Sequence, residues 1–152
     1  MRILTFLFLT FLFLPGYALA QSDDEQTKRH PLAGTWEGTI TQNKGGYRAQ
    51  YDLEFIFRIE GDSIYGTSYI SVEDIFVEME IKGEILNDMF LKIEDVRIID
   101  SKIRTNMEWC MKEYQLIFKK KEEQIDGFWQ GNTSFGPCIP GKVHLKRYTG
   151  KA

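Results

Sequence analysis

Residues 51–59 read Tyr-Asp-Leu-Glu-Phe-Ile-Phe-Arg-Ile, and this stretch decides the class of fold. A large hydrophobic residue stands at every odd-numbered position, and charged residues fill three of the four positions between. Side chains of a β-strand point alternately to opposite faces, so a period of two predicts a strand with one buried face. One apolar and one polar face is typical of antiparallel sheet with one side in water.

The same alternation recurs along the rest of the chain, and no helical period extends over ten residues. The further strand-like runs are residues 36–40, 64–72, 75–82, 89–94, 114–118, 127–131 and 143–146. Turn residues separate them, at Lys44-Gly45-Gly46, Glu60-Gly61-Asp62-Ser63, Asn87-Asp88, Glu122-Glu123 and the Gly136–Gly141 loop. The pattern predicts an all-β fold, an antiparallel up-and-down barrel of eight or nine strands. A β-sandwich is the alternative.

The first twenty residues are typical of an export signal. Arg2 precedes an apolar run from Ile3 to Leu14, and Ala18-Leu19-Ala20 forms a small-x-small cleavage site. The run is about twelve residues long, whereas a membrane-spanning helix needs roughly twenty. We therefore expect a secreted or periplasmic protein with a signal peptide at 1–20, a flexible polar lead-in at 21–31 and one domain at 32–152. No membrane span is expected in the mature chain.

Two cysteines, Cys110 and Cys138, are expected to form one structural disulfide. Export exposes them to an oxidising compartment, and two cysteines allow a single intramolecular pairing. Their spacing fits neither a C-x-x-C redox motif nor a zinc site.

Composition argues against several classes of function. The chain has 19 Lys and Arg against 22 Asp and Glu, a net charge of −3, so it lacks the excess of basic residues that nucleic-acid binding requires. The two histidines fall in the lead-in (His30) and on a water-facing strand position (His144), so we expect neither a metal nor a cofactor. No catalytic residues are predicted. Glu37, Glu78 and Glu80 leave a hydrolase with paired carboxylates as a remote alternative, since such enzymes need only two carboxylates in apposition.

A Gly-x-Trp-x-Gly pattern occurs twice, at Gly34–Gly38 and at Gly127–Gly131. An inward indole needs small neighbours on its own face of the strand, and glycine also lets a strand coil sharply. Chain-end strands become neighbours in a closed meander. The repeat therefore suggests two indoles stacked at one end of the barrel as a plug.

Gly34-Thr35-Trp36 at the start of the first strand resembles the calycin superfamily, which includes lipocalins and avidin-like proteins. The resemblance implies a small exported β-barrel and, in the lipocalin manner, a late basic residue packed over the Trp, for which Arg147 is the candidate. The T-D-Y-like second lipocalin motif is missing, and no biotin-binding polar set can be matched.

Two classes of function remain. The first is a carrier of a small apolar ligand in the barrel interior. Its candidate lining is Trp36, Phe55, Phe57, Met79, Tyr114, Leu116, Trp129 and Arg147. Gly66 and Ser68 are expected to leave space beside it. The second is an extracellular interaction module that uses its loops or outer face, suggested by the outward aromatic residues Tyr65, Tyr69, Phe76, Phe90 and Phe128. Asn132-Thr133-Ser134 also fits the N-glycosylation pattern.

Overall fold

The computed structural model describes residues 29–150. The predicted signal peptide and the lead-in up to residue 28 lie outside this range. Nine strands make up the described chain: β1 (Gly34–Thr41), β2 (Gln50–Glu60), β3 (Ser63–Val72), β4 (Ile75–Leu86), β5 (Phe90–Lys102), β6 (Met111–Lys119), β7 (Gln124–Thr133), β8 (Gly136–Pro137) and β9 (Gly141–Arg147). The all-β prediction is confirmed. Among residues 29–150 no helix is long and apolar enough to cross a membrane.

The strands form one antiparallel sheet that closes on itself. Each strand from β1 to β6 pairs with the next, β1 also pairs with β9, and β7 bridges β6 and β9. Eight strands therefore complete the barrel, and the two-residue β8 pairs only with the end of β7. The barrel prediction is confirmed over the sandwich. Closure leaves the sheet with almost no free edge, which protects a chain this rich in strands from edge-to-edge association.

The alternation read from residues 51–59 sets the direction of the side chains. Leu53, Phe55 and Phe57 are at most 2% exposed inside the barrel, whereas Asp52 and Arg58 face solvent. The other strands contribute their inward residues to the same hydrophobic core. Turns with left-handed residues connect the strands where the sequence predicts them, for example at Gly61 and at Asn87-Asp88.

The two ends of the barrel differ. At the end where β1, β3, β5 and β7 begin, Leu32 from the chain before β1 is fully buried, and we call this the closed end. At the other end the connection between β5 and β6, residues 103–110, lies across the barrel opening. We call this connection the capping segment and this end the capped end.

Strand β5 leaves its neighbour half-way along its length. It pairs with β4 as far as Lys102 but with β6 only over Phe90–Glu94. Two register shifts against β4 leave Val96 and Ile99 without partners. Such β-bulges bend a strand and re-aim its side chains. The barrel wall is therefore split between β5 and β6 near the capped end.

The two Gly-x-Trp-x-Gly segments do not place their indoles together, so the suggested plug of two stacked indoles at one end is wrong. Strand β9 lies between β1 and β7, and Trp36 pairs with Arg147 whereas Trp129 pairs with Gly141. Six residues of a strand separate these positions by about 20 Å, so the indoles lie towards opposite ends. A Cβ on Gly38 would meet the His144 carbonyl oxygen at 2.1 Å. The room that this glycine provides is thus filled by the backbone of β9.

Candidate functional site

Trp36 and Arg147 seal the closed end. The Trp36 indole Nε1 donates to the Leu32 carbonyl at 2.8 Å, and the Arg147 guanidinium lies 4.3 Å above the indole ring. Arg147 also donates to the carbonyls of Ala33 and Pro31, which fixes the chain entering β1. This is the contact that the calycin resemblance implies for Arg147. It closes the barrel floor and leaves both residues outside any ligand pocket at this end.

The middle of the barrel is filled by its own side chains. Phe55 stacks on Phe57 at 5.0 Å between ring centroids and meets Tyr114 edge-on at 5.2 Å. Met79 and Leu116 are at most 1% exposed in the same core. Five of the candidate lining residues are therefore brought together, and they pack against one another. The space expected beside Gly66 is occupied, because a Cβ there would meet the Ile56 carbonyl oxygen at 1.8 Å.

A pocket of about 90 Å³ lies at the capped end, between the strand ends and the capping segment. Its walls are mostly apolar: the barrel contributes Ile40, Tyr51, Ile70, Ile75, Lys112 and Trp129, the capping segment contributes Ile103, Met107, Glu108, Trp109 and Cys110, and the β1–β2 connection contributes Gln42 and Tyr47. Of the lining residues expected from the sequence, only Trp129 reaches this pocket. Its Nε1 donates to the Thr41 carbonyl at 2.7 Å.

Three separate anchors hold the capping segment over the pocket. Arg104 donates to Glu73 at 3.0 Å and to Asp74 at 2.9 Å in the β3–β4 turn. Glu108 accepts from both the backbone N–H and the hydroxyl of Ser134. The third anchor is covalent.

The disulfide between Cys110 and Cys138 is confirmed. It ties the end of the capping segment to the loop before β9. Each of the three anchors reaches a different connection at the capped end, and together they hold the segment at Arg104, Glu108 and Cys110.

A buried ion pair lies beneath the capping segment. The Asp95 side chain is fully buried and the Lys112 side chain is 5% exposed, with Oδ2 and Nζ 3.6 Å apart. Asp95 also accepts from the Lys112 backbone N–H at 2.8 Å and from the Tyr114 hydroxyl at 3.4 Å. Lys112 Nζ donates to the Cys110 carbonyl at 2.8 Å.

Asp95 therefore stands where β5 diverges from β6. Beyond Glu94 the backbone of β5 no longer pairs with β6. The Asp95 carboxylate accepts from the Lys112 backbone N–H in its place. Burial raises the pKa of Asp95, against the opposing effect of Lys112. Burial likewise lowers the pKa of Lys112 and raises that of Tyr114. Each shift favours the uncharged form, as expected for ionisable groups removed from water.

Trp109, in the capping segment, holds a polar group without a partner. Its indole Nε1 is buried, and no acceptor lies within hydrogen-bonding distance. Leaving a buried donor unpaired costs about 1–3 kcal/mol. The Trp109 side chain lines the pocket, whereas its Nε1 is buried in the surrounding protein.

The outer face carries the remaining residues singled out from the sequence. His144 is half exposed and lies 2.5 Å from Asp126, where Lys119 and Gln124 also contact the carboxylate. Glu78 and Glu80 lie at neighbouring outward positions of β4, and Glu37 lies outward on β1. Within residues 29–150 no group of three or more His, Cys, Asp or Glu side chains is arranged to hold a metal ion.

The outward aromatic residues fall into two groups. Tyr69 stacks on Phe76 at 5.7 Å on β3 and β4, with Tyr65 further along β3. Phe90 and Phe128 belong to a second group, with Leu86 and Ile117, on adjacent strands from β4 to β7. We call these four residues the apolar outer patch. Each is between 39% and 62% exposed.

Sequence reasoning missed the three residues that distinguish the capped end: Asp95, Lys112 and Trp109. A signal was present for two of them. Asp95 follows Leu91 and Ile93 at the next inward position, and Lys112 precedes the inward Tyr114 and Leu116 at the same spacing. Two opposite charges at inward positions of consecutive strands indicate a buried pair, because an isolated charge there would be too costly.

Comparison with protein-family models and with curated proteins finds no significant match to this sequence. The closed eight-stranded antiparallel barrel is compatible with a calycin-like fold.

Proposed function

We propose that this protein is an exported binding barrel that holds a small apolar ligand in the pocket beneath the capping segment. The observation that carries the proposal is the pocket itself. It is an apolar recess with a few polar groups at the mouth of a closed β-barrel, which is a common location for ligand sites. The disulfide supports export, since such bonds persist in oxidising compartments.

Because the barrel centre is filled, the proposed site lies at the capped end and not in the central interior expected from the sequence. Phe55, Phe57 and Tyr114 fill the barrel centre and do not line the pocket. The ligand contacts Ile40, Ile70 and Ile75 instead. Binding without catalysis is the function proposed. Glu37, Glu78 and Glu80, the carboxylates considered for a hydrolase, lie on the outer face away from this pocket.

The test is a methyl NMR titration of the folded protein with xenon and with benzene, two probes that enter dry apolar cavities. We expect saturable shifts that are largest for Ile40, Ile70, Ile75 and Ile103. Ile70→Phe fills the pocket and should abolish these shifts. Ile64→Phe is the matched control, because Ile64 is buried on the same face of β3 near the closed end and does not line the pocket. Absence of saturable shifts in the unaltered protein would contradict the proposal.

A second candidate function, an interaction module, is favoured by the apolar outer patch. Leu86, Phe90, Ile117 and Phe128 are contiguous across four strands, and clustered exposed apolar residues commonly mark contact sites. A two-fold axis through the patch would bury it against a second copy of the chain. Sedimentation of the unaltered protein should then show a concentration-dependent dimer that Phe90→Ser with Phe128→Ser abolishes. A monomer at all concentrations speaks against this function.

A further inference from the structure

The far half of β5 has a free edge. On one side it pairs with β4 as far as Lys102, but on the other side no strand follows beyond Glu94, because β6 has diverged. Within residues 29–150, the backbone of residues 96–102 is hydrogen-bonded to no segment other than β4, and only the Ser101 N–H has a side-chain acceptor, Asp100 at 2.8 Å. We call residues 96–102 the β5 edge. Such an edge is a template on which another strand can add.

The centre of the β5 edge is apolar. Val96, Ile98 and Ile99 are each between 41% and 44% exposed. Proteins protect a free edge with bulges and charged residues, and the β5 edge has two bulges and the charges of Arg97 and Lys102. Three adjacent aliphatic side chains left in water do not protect an edge. Clustered exposed apolar residues instead mark a surface that another molecule covers.

The charges of the β5 edge are unevenly paired. The bulge at Ile99 places Arg97 and Asp100 on the same outer face, opposite Glu80 and Glu78 of β4. Arg97 Nε lies 2.6 Å from the Glu80 carboxylate. Asp100 opposes a second carboxylate, and it belongs to none of the ion pairs formed by residues 29–150. Like charges directly opposite each other destabilise a sheet, so a cation brought to Asp100 from outside would be favourable.

We propose that the β5 edge pairs antiparallel with the same edge of a second copy of this chain, across a two-fold axis between Ile98 and Ile99. In this register Ile98 lies opposite Ile99 of the second copy, and Arg97 lies opposite Asp100 of the second copy. Each contact occurs twice. Residues opposite each other in an antiparallel pair share a face of the sheet, and Arg97 and Asp100 do so because of the bulge.

The self-complementary pattern is what selects a second copy as the partner. An interface across a two-fold axis uses the same surface on both chains, so every attractive contact must be made by residues of that one surface. The β5 edge supplies both a cation and an anion at matching positions on either side of its apolar centre. It is separate from the apolar outer patch, whose Phe90 lies at the opposite end of β5. The pairing goes beyond the proposed ligand binding and does not depend on it.

Sedimentation velocity of the unaltered protein over a range of concentrations is the first test, and we expect a concentration-dependent dimer. Asp100→Arg places two arginines opposite each other at both outer contacts, so the dissociation constant of the dimer should rise at least about tenfold. Within one chain the new arginine opposes Glu78, so the fold itself is not weakened. Asp52→Arg, the same change at an exposed outward position of β2, is the matched control and should leave the dimer intact.

Mixing two variants tests the register. Arg97→Asp places two carboxylates opposite each other, so this variant alone should also be monomeric. In an equimolar mixture of Arg97→Asp with Asp100→Arg, a dimer of one chain of each has an arginine opposite an aspartate at both contacts. The mixture should therefore recover the dimer that neither variant forms alone. Failure of the mixture to associate overturns the proposed pairing.

Amide hydrogen exchange gives a readout that requires no substitution. Added backbone hydrogen bonds in the dimer should slow exchange in residues 96–101 of the unaltered protein at high concentration relative to low concentration. Exchange in β2, which is paired on both sides within the barrel, should not depend on concentration. Exchange in residues 96–101 that is equally fast at both concentrations overturns the inference.

The remaining outcomes separate this edge from the other candidate surface. A monomer at all concentrations, or a dimer that Asp100→Arg leaves intact, overturns the inference. Phe90→Ser with Phe128→Ser should retain the dimer formed by the β5 edge. Loss of all self-association in that double variant would assign the contact to the apolar outer patch and overturn the inference. Binding of xenon or benzene in the capped-end pocket is measured separately, so the proposed function stands or fails independently.

Discussion

At the scale of single residues, the buried Asp95–Lys112 pair makes the interior sensitive to substitution. Removing one partner of a buried ion pair leaves the other charge unpaired, which typically costs about 3–5 kcal/mol. Asp95→Ala should therefore lower the free energy of unfolding by that amount in urea denaturation. Asp95→Asn should cost less, because an amide oxygen still accepts from the Lys112 backbone N–H. A loss below about 1 kcal/mol for Asp95→Ala would show that water or a neighbouring group replaces the carboxylate.

Asp126 gives a second residue-scale prediction, this time for pH. Desolvation acts to raise the pKa of Asp126, but hydrogen bonds from Lys119, Gln124 and His144 outweigh it and lower the pKa to about 2. A carboxyl whose pKa is depressed on folding stabilises the protein above the unfolded value near 3.9 and loses that effect as the pH falls through the folded value.

Asp126→Asn should consequently lower the melting temperature at pH 6, by an amount equivalent to at most about 1 kcal/mol for so exposed a cluster. The difference from the unaltered protein should shrink between about pH 4 and pH 2. Melting curves recorded across this range provide the measurement. Glu78→Gln, which removes an outward carboxylate from β4, is the control. A difference that grows as the pH falls would be inconsistent with the depressed pKa.

At the scale of elements, the capping segment should open more readily than the barrel strands. Arg104, Glu73 and Asp74 are each about half exposed, and exposed ion pairs contribute roughly 0–1 kcal/mol. Arg104→Gln should therefore leave global stability within about 1 kcal/mol of its original value while accelerating amide hydrogen exchange in residues 103–110. Exchange in β2 and β3 serves as the internal reference. Uniform acceleration across the barrel would contradict a local role.

Local alternation is sufficient to predict a regular strand but not a bulged one. The strand β2 follows from residues 51–59 alone, because the alternation buries Tyr51, Leu53, Phe55 and Phe57 in only one orientation of the strand. The far half of β5 does not follow in this way. Its residues 95–102 lose the alternation at two bulges, where Val96 and Ile99 have no partners on β4. A bulge depends on how the neighbouring strand pairs, so the local order of apolar and polar residues does not predict it.

At the scale of the whole molecule, the disulfide closes a loop of 28 residues that contains β6, β7 and β8. The chain-entropy model assigns about 3.5 kcal/mol to a loop of this length. Cys110→Ala with Cys138→Ala should lower the free energy of unfolding by about this amount, measured in urea. The double variant should still fold to the same barrel by circular dichroism, because the sheet closes through β1–β9 and β6–β7 independently of the sulfurs. A variant that loses its β-sheet signal would show that closure depends on the disulfide.

The sequence by itself determined the all-β class, the pairing of the two cysteines and the inward row of each regular strand, and it favoured a barrel while leaving a sandwich open. These properties follow from local alternation, turn residues and simple counting, which do not require knowledge of neighbours. The tertiary structure alone decided where the described barrel has an internal pocket. Phe55, Phe57 and Tyr114 are apolar inward residues, as a ligand lining would require, but their side chains meet across the barrel and fill its centre, and the pocket lies at the capped end. Likewise, the partnership of Asp95 with Lys112 arises where β5 separates from β6, and this depends on how the two strands pair.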